Sequence, residues 1–431
     1  MIKLECKKCG KKLKKEKNIH YCPDSNLDEI KSRFPNLIEN ILDLDPTGEP
    51  EKIVTCRYEI LEVGINYWDE KYDDIAKNFG DLTYIYNQKS KNIRITECDK
   101  SVREIIIPDK IEGNPVVAID EYAFSGCRSL TSIVIPNGVT SIGHYAFDGC
   151  SSLTSIVIPN SVTSIGDSAF WDCSSLTSIV IPNSVTSIGY SAFWGCSGLT
   201  SIVIPNSVTS IGSHAFWCCS SLTSIVIPNS VTSIGDRAFW GCSSLTSTVI
   251  PSSVTSIGDS AFYGCSSLTS IIVASRNSVY RSENNCIIEI ASNSLILGCK
   301  SSIIPSSVTS IGRYAFSNCS SLTSIVIPNS VTSIGGWTFD GCRSLRSIVI
   351  PNSVRSIGRY AFNDCSGLTS VVIPNSVTSI GDSAFMGCSS LTIYARASSK
   401  PRGWDSGWNS RGWDSYWNSK YIPVVWGYKG E

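Results

Sequence analysis

The chain has 431 residues, a formal net charge of −1 and 42% hydrophobic residues, so it has ample material for a buried core. The balanced charge excludes a broad electrostatic footprint for nucleic acid or an acidic membrane. No stretch of 18 or more apolar residues occurs, which predicts no membrane span. The N-terminus, Met1-Ile-Lys-Leu-Glu, lacks the apolar segment of a secretory signal and by itself indicates a cytoplasmic protein.

Residues 1–23 hold two pairs of closely spaced metal-ligand types: Cys6, Cys9, His20 and Cys22. Zinc prefers four tetrahedral sulfur or nitrogen ligands, and metal binding would supply the folding energy of so short a segment. The sequence therefore predicts a zinc-ribbon-like segment, although the second pair has one intervening residue instead of two. The alternatives are a lysine-rich tail with incidental cysteines, or a redox Cys-x-x-Cys without its usual βαβ context.

Residues 24–80 form a small connecting module of unassigned role. Apolar residues at helical spacing over 27–44 predict two short helices split at Pro35, residues 53–68 are strand-like, and residues 70–79 are expected to be helical. This gives a small N-terminal α+β segment. Residues 81–118 carry strand patterns that fit no regular repeat, and they are predicted to be capping coils at the N-terminal end of a repeat array.

A 23-residue unit, L-x-x-I-x-I-P-x-x-V-x-x-I-G-x-x-A-F-x-x-C, is repeated over residues 119–395. A fixed period of this length is typical of a solenoid in which each coil contacts only its neighbours. In one copy, Leu153 to Ile158 predicts a strand with alternate residues inward, and Val162 to Ile165 predicts a second strand. Asp167 is expected to cap a short helical turn that carries Ala169 and Phe170 inward.

A cysteine closes each repeat, and the column so formed is predicted to be an inert ladder of buried thiols. Disulfides are rejected because the ladder has an odd number of members and because stacked neighbours have poorly disposed Cβ vectors. Cys218 lies beside the ladder, where other repeats have Gly, Asp or Asn, and is a candidate for an exposed, reactive thiol. The ladder is Cys127, Cys150, Cys173, Cys196, Cys219, Cys242, Cys265, Cys319, Cys342, Cys365 and Cys388.

An insert at residues 271–305 breaks the register of the repeats. Ile287–Ile290 and Ser294–Leu297 flank Ala-Ser-Asn and predict a hairpin. Inserts in repeat proteins project from one face and are often functional, which makes four polar residues candidates for binding. The alternative is a solvated loop that only bridges coils. The four candidates are Asn277, Tyr280, Arg281 and Glu283.

The residue after the repeat phenylalanine is aromatic in five successive coils: Trp171, Trp194, Trp217, Trp240 and Tyr263. The same position holds Asp, Ser or Asn elsewhere, so it is not deep core. A stack of exposed aromatic rings would be an apolar stripe suited to partner binding. The alternatives are stacking for stability alone, or recent duplication of one repeat. Variable residues after the glycine are expected to form the rim of this stripe: His144, Tyr145, Tyr190, His214, Arg237, Arg313, Tyr314, Trp337, Arg359 and Tyr360.

The C-terminal residues 396–431 contain a doubled Trp-rich nonamer that starts at Gly403 and again at Gly412. The tail is predicted to cap the solenoid, with Val424 to Trp426 as a last strand. A sugar-binding segment is the alternative, because rings stack on pyranose faces. The whole chain has three histidines and no triad, phosphate loop or catalytic carboxylate pair, so no enzymatic activity is expected.

The period, the L-x-x-I-x-I-P strand and the V-x-x-I-G-x-x-A-F-x-x-C half resemble the BspA-like leucine-rich repeats over about residues 82–395. The resemblance implies a leucine-rich-repeat solenoid, mainly short parallel β-strands with short helical turns. It also implies a cell-surface or secreted adhesin for host matrix or cell-surface proteins. Two further hypotheses are an intracellular scaffold with a zinc-binding head and a carbohydrate-binding surface protein. No nucleic-acid partner is expected for the solenoid.

Overall fold

The structure is a computed structural model that describes the strands Leu4–Glu5 and Lys12–Leu13, residues 76–404 and residues 422–430. The chain divides into two compact units, Met1–Lys77 with Ile85–Lys91 and Asn78–Tyr84 with Asn92–Glu431. In the first unit, Leu4–Glu5 and Lys12–Leu13 form an antiparallel pair. The second unit is a solenoid of parallel strands, so the repeat architecture predicted from the 23-residue period is confirmed.

Most regular coils contribute a leading strand at the start of the repeat and a trailing strand nine residues later, and strands of each type pair in register with the same type in a neighbouring coil. The leading strands are Glu104–Ile106, Ser132–Val134, Ser155–Val157, Ser178–Val180, Ser201–Val203, Ser247–Ile250, Ser270–Val273, Ser324–Val326, Ser347–Val349, Ser370–Ile373, Thr392–Ala395 and Val424–Trp426. The trailing strands are Asn114–Ile119, Ser141–Ile142, Ser164–Ile165, Ser187–Ile188, Ser210–Ile211, Ser233–Ile234, Ser256–Ile257, Ser310–Ile311, Ser333–Ile334, Ser356–Ile357 and Ser379–Ile380.

The alternation predicted for the leading strand is present. Leu153, Ile156 and Ile158 are buried, whereas Val157 is 77% exposed. Successive side chains of a strand point to opposite faces, so the L-x-x-I-x-I pattern places its apolar residues in the interior and its Ser and Val outside. Proline ends the strand because it has no amide hydrogen to donate.

The short helical turns expected after the glycine are wrong, because the described residues contain no helix. Ala169 and Phe170 are fully buried as predicted, but the segment is a chain of turns with left-handed residues at Ser168 (φ 55°) and Asp172 (φ 52°). The Phe170 amide donates to Ala192 O of the next coil at 2.9 Å instead of closing a helical turn. Asp167 caps no helix either, since its Oδ1 accepts from Tyr190 N of the next coil at 2.8 Å.

The interior consists of stacked columns of one residue type each. Phenylalanine rings of adjacent coils are nearly parallel, with Phe193 and Phe216 5.4 Å apart at 6°. The ladder thiols are buried and free, and nine of the eleven donate to a phenylalanine carbonyl, as Cys219 Sγ does to Phe193 O at 3.2 Å. A small apolar residue with a donor therefore fits this position, and the thiol also satisfies a buried carbonyl.

The first strands of the solenoid differ from the regular repeat. Asn92–Cys98 pairs parallel with Asn114–Ile119, which also pairs antiparallel with the short strand Lys110–Ile111. The helix expected over residues 70–79 is wrong for its described part, since Ala76–Phe79 is a strand beside Leu82–Asn87 in the same sheet. The turn between them uses Gly80 at φ 57°, a conformation that favours a tight reversal.

The insert folds as strands rather than as an open loop. Tyr280–Glu283 and Cys286–Glu289 pair antiparallel, and Cys286–Glu289 pairs antiparallel with Ser294–Leu297, so the predicted hairpin is present. Ser294–Leu297 then pairs parallel with Ser310–Ile311 and takes the place of a trailing strand. Its coil has no stacked phenylalanine, because Gly298 lies against the Phe316 ring where a Cβ would come within 2.1 Å.

The described part of the C-terminal tail closes the last coil. Val424–Trp426 pairs parallel with Thr392–Ala395, as predicted for a last strand. Trp404 is buried, and its indole N–H donates to Val377 O at 3.0 Å. The rest of the doubled nonamer, and with it the sugar-binding alternative for the tail, lies outside the described residues.

Candidate functional site: an aromatic ridge

A column of aromatic rings runs along the outside of the solenoid, one ring from each of ten regular coils. We call it the aromatic ridge. It contains the five predicted stripe residues and extends beyond them at both ends. Its members are Tyr122, Tyr145, Trp171, Trp194, Trp217, Trp240, Tyr263, Tyr314, Trp337 and Tyr360.

The ridge draws its rings from two positions in the repeat, three residues apart. In the middle coils the ring follows the phenylalanine, as Trp171 does, and the earlier position is Ser168. In the outer coils the ring occupies the earlier position, as Tyr145 does, and the later position is Asp148. The two positions are joined by a tight turn, with Trp171 N donating to Ser168 O at 3.1 Å. Both therefore reach the same strip of surface, and the stack continues across the change of position from Tyr145 to Trp171 at 6.3 Å.

The earlier position is a strained site for an aromatic residue. Tyr145, Tyr314 and Trp337 have φ values of 53°, 60° and 53°. Left-handed backbone costs residues other than glycine about 1–2 kcal/mol. The conformation is held because each amide donates to the next coil, as Trp337 N does to Arg359 O at 2.9 Å. A bulky ring at a strained backbone position is a reason to look for function there.

The central rings expose their edges rather than their faces. Trp194 lies 4.6 Å from Trp171 at 8° and 4.4 Å from Trp217 at 2°, and Trp217 lies 4.6 Å from Trp240 at 3°. Both faces of Trp194 and of Trp217 are thus covered by neighbouring rings, and the side chains are half-buried. Aromatic edges carry the positive end of the ring quadrupole. The ridge accordingly presents apolar, weakly positive edges, and offers no open ring face there for a sugar to stack on.

Three arginines lie over rings of the ridge. The Arg237 guanidinium carbon is 5.5 Å from the Trp240 centroid, the Arg313 carbon is 4.5 Å from Trp337, and the Arg359 carbon is 4.8 Å from Tyr360. Such cation–π contacts contribute about 0.5–1 kcal/mol each at exposed sites. They hold long side chains against the ridge and give it fixed positive groups.

His214 packs against two tryptophans of the ridge. Its ring is 5.4 Å from that of Trp194 and 5.0 Å from that of Trp217. Partial burial, and then the charge of Arg237, lower the pKa of His214. The imidazole is therefore neutral at neutral pH and adds to the apolar surface rather than to its charge.

The buried Asp340 carboxylate is hydrogen-bonded to the ridge residue Tyr263 at the place where the insert interrupts the repeats. Asp340 accepts hydrogen bonds from Tyr263 OH at 2.9 Å, Ser317 Oγ at 3.1 Å and Asn363 Nδ2 at 2.7 Å. Burial, and then the Asp340 charge, raise the pKa of the Tyr263 phenol, which stays protonated and donating. These bonds join coils before and after the insert, so Tyr263 is positioned by residues far along the chain.

The structure brings the five predicted stripe residues together on one surface. Four residues expected at its rim are members of the ridge itself: Tyr145, Tyr314, Trp337 and Tyr360. Sequence reasoning missed them because it followed one position of the repeat at a time. The sequence does carry a signal for them. In nearly every coil, one of the two ridge positions is aromatic and the other is small, polar or charged.

Two of the four insert residues that were predicted to be candidates for binding have structural roles instead. Asn277 is buried, and its Nδ2 donates to Pro251 O at 2.8 Å and to Val254 O at 2.9 Å. Tyr280 is buried, and its hydroxyl accepts from Ile257 N at 3.2 Å. Arg281 and Glu283 form an ion pair at 2.7 Å on the surface. Two of the four candidates therefore hold the insert onto the preceding coil.

The exposed thiol predicted beside the ladder is Cys218, and the structure places it at the surface. The residue before each ladder cysteine has a left-handed backbone, φ 56° at Cys218, which explains why this position is Gly, Asp or Asn in other repeats. Burial raises the pKa of the Cys218 thiol. The thiolate is the reactive form, so a raised pKa lowers the thiolate fraction of Cys218 at neutral pH, and its reactivity stays a prediction.

The predicted zinc ligands Cys6, Cys9, His20 and Cys22 lie outside the described residues, so the zinc-ribbon interpretation stays a prediction. Over residues 76–404 and 422–430, no group of three or more His, Cys, Asp and Glu side chains is placed to hold a metal ion. In the same part of the chain, no helix has the length and hydrophobicity to cross a bilayer.

Comparisons with known proteins agree with the repeat geometry. The family model described as "BspA type Leucine rich repeat region" matches residues 95–223, 163–296 and 293–400. A leucine-rich cell-surface protein from Faecalibacterium prausnitzii has a crystal structure that is 32% identical, with a TM-score of 0.64. The alignment covers 80% of this chain and 98% of that one.

Two further crystal structures are similar to this chain over part of its length. A leucine-rich repeat protein of T. pallidum is 34% identical over 45% of this chain and 91% of its own, with a TM-score of 0.41. One from Bacteroides ovatus is 27% identical over 74% of this chain and 99% of its own, with a TM-score of 0.42. Curated proteins of known function give no match. With the family model matching most of the solenoid and a relative matched over nearly its whole length, the chain belongs to the BspA-type leucine-rich repeat proteins.

Proposed function

We propose that this protein is a non-catalytic interaction solenoid that binds a protein partner through the aromatic ridge. The observation that carries the proposal is that the ring comes from either of two positions in the repeat and still reaches the same strip of surface. Each regular coil from Tyr122 to Tyr360 supplies a ring to the same strip, in several cases from a strained backbone position. Stability alone does not require a ring at that position, because the last regular coil has Ser383 and Met386 there instead. Aromatic residues and arginine are also the preferred anchors of protein interfaces.

The partner class that we propose is a host matrix or cell-surface protein, which makes the chain a surface adhesin. Its support is the 32% identical Faecalibacterium prausnitzii relative, which is a cell-surface protein. The ridge chemistry agrees with a protein partner, since ring edges and arginines suit backbone carbonyls and carboxylates. In the stacked tryptophan part of the ridge both faces of each central ring are covered, which counts against a glycan partner there.

The test is binding of the full chain to immobilised fibronectin, laminin and collagen by biolayer interferometry. Trp194→Ala combined with Trp217→Ala should weaken binding at least about tenfold, since central aromatic anchors contribute about 2 kcal/mol or more. Val180→Thr combined with Val203→Thr is the matched control, because these exposed residues lie on the leading strands and not on the ridge. Equal loss in both double variants, or none in the tryptophan variant, would contradict the proposed surface.

Location is tested separately by treating intact cells of the source organism with protease. Cleavage of the chain on intact cells supports the adhesin proposal. Protection until lysis rejects it and favours the intracellular scaffold, for which zinc content of residues 1–23 becomes the next measurement. Competition by soluble glycans in the interferometry experiment would favour the carbohydrate alternative.

A further inference from the structure

The aromatic ridge is interrupted at one place, where the insert separates the coil of Tyr263 from the coil of Tyr314. There the rings meet edge to face, 6.2 Å apart at 77°, instead of stacking. A cleft of about 190 Å³ opens at this break. Its lining includes Asp259, Tyr263, Tyr280, Glu289, Leu297 and Tyr314.

The three tyrosines of the cleft use their hydroxyl groups within the molecule. Tyr263 OH donates to Asp340, Tyr280 OH accepts from Ile257 N at 3.2 Å, and Tyr314 OH accepts from Arg313 Nη2 at 3.1 Å. Each of the three hydroxyl groups thus already has a partner within the molecule, and the rings are the parts of these side chains that can meet a cation. Aromatic rings attract cations electrostatically through their negative faces.

The charged groups at the cleft have the sign that favours a cation. Asp259 and Glu289 both line it, and neither forms an ion pair with a described residue. Arg313 also lines the cleft, and its guanidinium carbon lies between two rings, 4.9 Å from the centroid of Tyr314 and 4.5 Å from that of Trp337 in the next coil. Two carboxylates and one guanidinium therefore line the cleft, and the carboxylates outnumber the in-chain cation.

We propose that this cleft receives a lysine or arginine side chain of the protein partner. The rings of Tyr263 and Tyr280 and the two carboxylates match a cation on an aliphatic stem, and Leu297 supplies an apolar surface for that stem. Small-molecule sites are commonly about 300–1,000 Å³, so a cleft of this size suits one side chain rather than a cofactor. This cleft would add a specificity pocket to the proposed binding surface. The inference rests on the proposed function in one respect, because it assumes that the partner contacts the aromatic ridge beside the cleft.

The cleft is tested without the natural partner, by fluorine NMR of the full chain labelled with 3-fluorotyrosine. The probes are N-acetyl-lysine N-methylamide, its arginine counterpart and the neutral norleucine counterpart. Lysine or arginine should shift the Tyr263, Tyr280 and Tyr314 signals saturably, with norleucine about fivefold weaker or more because it lacks the charge. Equal binding of norleucine, or no saturable shift with any probe, would overturn the proposal. The two cationic probes decide between lysine and arginine.

Charge variants give the sign of the interaction. Asp259→Asn and Glu289→Gln should each weaken lysine binding about fivefold, whereas Arg313→Gln should strengthen it by removing a like charge. Asp167→Asn is the matched control, because Asp167 occupies the position of Asp259 in a coil away from the cleft. Weaker binding in Arg313→Gln together with unchanged binding in Glu289→Gln would overturn the cation assignment. Trp194 and Trp217 do not line the cleft, so the ridge and the cleft proposals can fail independently.

Discussion

Two columns of stacked aromatic rings run side by side through this solenoid, one inside and one outside. The inner column is phenylalanine in every regular coil, and its rings are 5.1 to 5.4 Å apart and almost parallel. The outer column, the aromatic ridge, mixes tyrosine and tryptophan at spacings from 3.7 to 6.3 Å and tilts of up to 77°. The inner rings are fully buried in nearly all coils, whereas the outer ones are mostly half-buried.

The difference shows which column is constrained by packing. An interior phenylalanine is surrounded on all sides, so a change of volume or position leaves a cavity or a clash. A ridge ring has solvent on one side and can come from either of two positions without disturbing the core. The inner column therefore specifies the fold, and the outer column is free to carry recognition. Four experiments would break or sharpen this distinction, from the largest expected effect to the smallest.

Alkaline pH should destabilise the protein through its interior thiols. Burial raises the pKa of Cys173, Cys219 and Cys242 well above the unfolded value of about 8.5. Because the folded pKa is the higher one, their stabilising contribution is complete below pH of about 8.5. It is lost above that pH as the unfolded thiols ionise, at about 1.4 kcal/mol per pH unit for each thiol.

Urea unfolding under reducing conditions at several pH values between 7 and 10 measures this loss. Cys219→Ala should reduce the slope of the free energy of unfolding against pH by the contribution of one thiol. The same change at the exposed Cys218 should affect the slope less. A stability that stays flat to pH 10 would show that the interior thiols do not titrate on unfolding.

Truncation of an inner ring should cost more than truncation of its outer neighbour. Phe216→Ala is expected to cost about 3–5 kcal/mol, because it removes a fully buried ring and leaves a cavity between Phe193 and Phe239. Guanidinium unfolding followed by hydrogen exchange in the flanking coils measures both the size and the spread of the effect. Phe216→Leu is the matched control, and it should cost clearly less. A loss of under about 1 kcal/mol for the alanine variant would contradict the role assigned to the inner column.

Trp217→Ala tests the outer column in the same coil. The ring loses two stacked partners, each worth about 0.5–1.5 kcal/mol, so the total cost should be about 1–3 kcal/mol. The same unfolding measurement applies, and Val203→Thr provides a surface control off the ridge. If Trp217→Ala were as costly as Phe216→Ala, the outer column would be part of the core and its use in recognition would lose support.

Moving a ring between the two ridge positions should have the smallest effect on stability. The double variant Ser191→Tyr with Trp194→Asp copies the arrangement of Tyr145 and Asp148 into another coil. Because the structure already holds Ser191 at φ 52°, the net change is expected to be about 1 kcal/mol or less. Trp194→Asp alone should cost more than the double variant. A double variant worse than the single one would show that the two positions do not reach the same strip.

Much of the fold could be predicted from local pattern. The alternation around Val157, the proline stops and the insert hairpin all depend on neighbours in sequence, and all are present. The prediction of a helical turn after Gly166 was wrong because the backbone of this segment depends on the neighbouring coil. Its amides bond to the next coil, as Ser168 N does to Tyr190 O, and no local preference for a helix can reveal such a partner.

The sequence by itself determined that the chain is a solenoid, which residues face inward and that a column of aromatic residues lies outside, because a 23-residue period repeats the same environment in every coil. Only the tertiary structure decided that rings from two positions form one ridge, that the stacked tryptophans expose edges, and that a cleft with two carboxylates opens where the insert breaks the stack. These features depend on which coils become neighbours in space. Tyr263 and Asp340 are 77 residues apart in the chain and 2.9 Å apart in the fold.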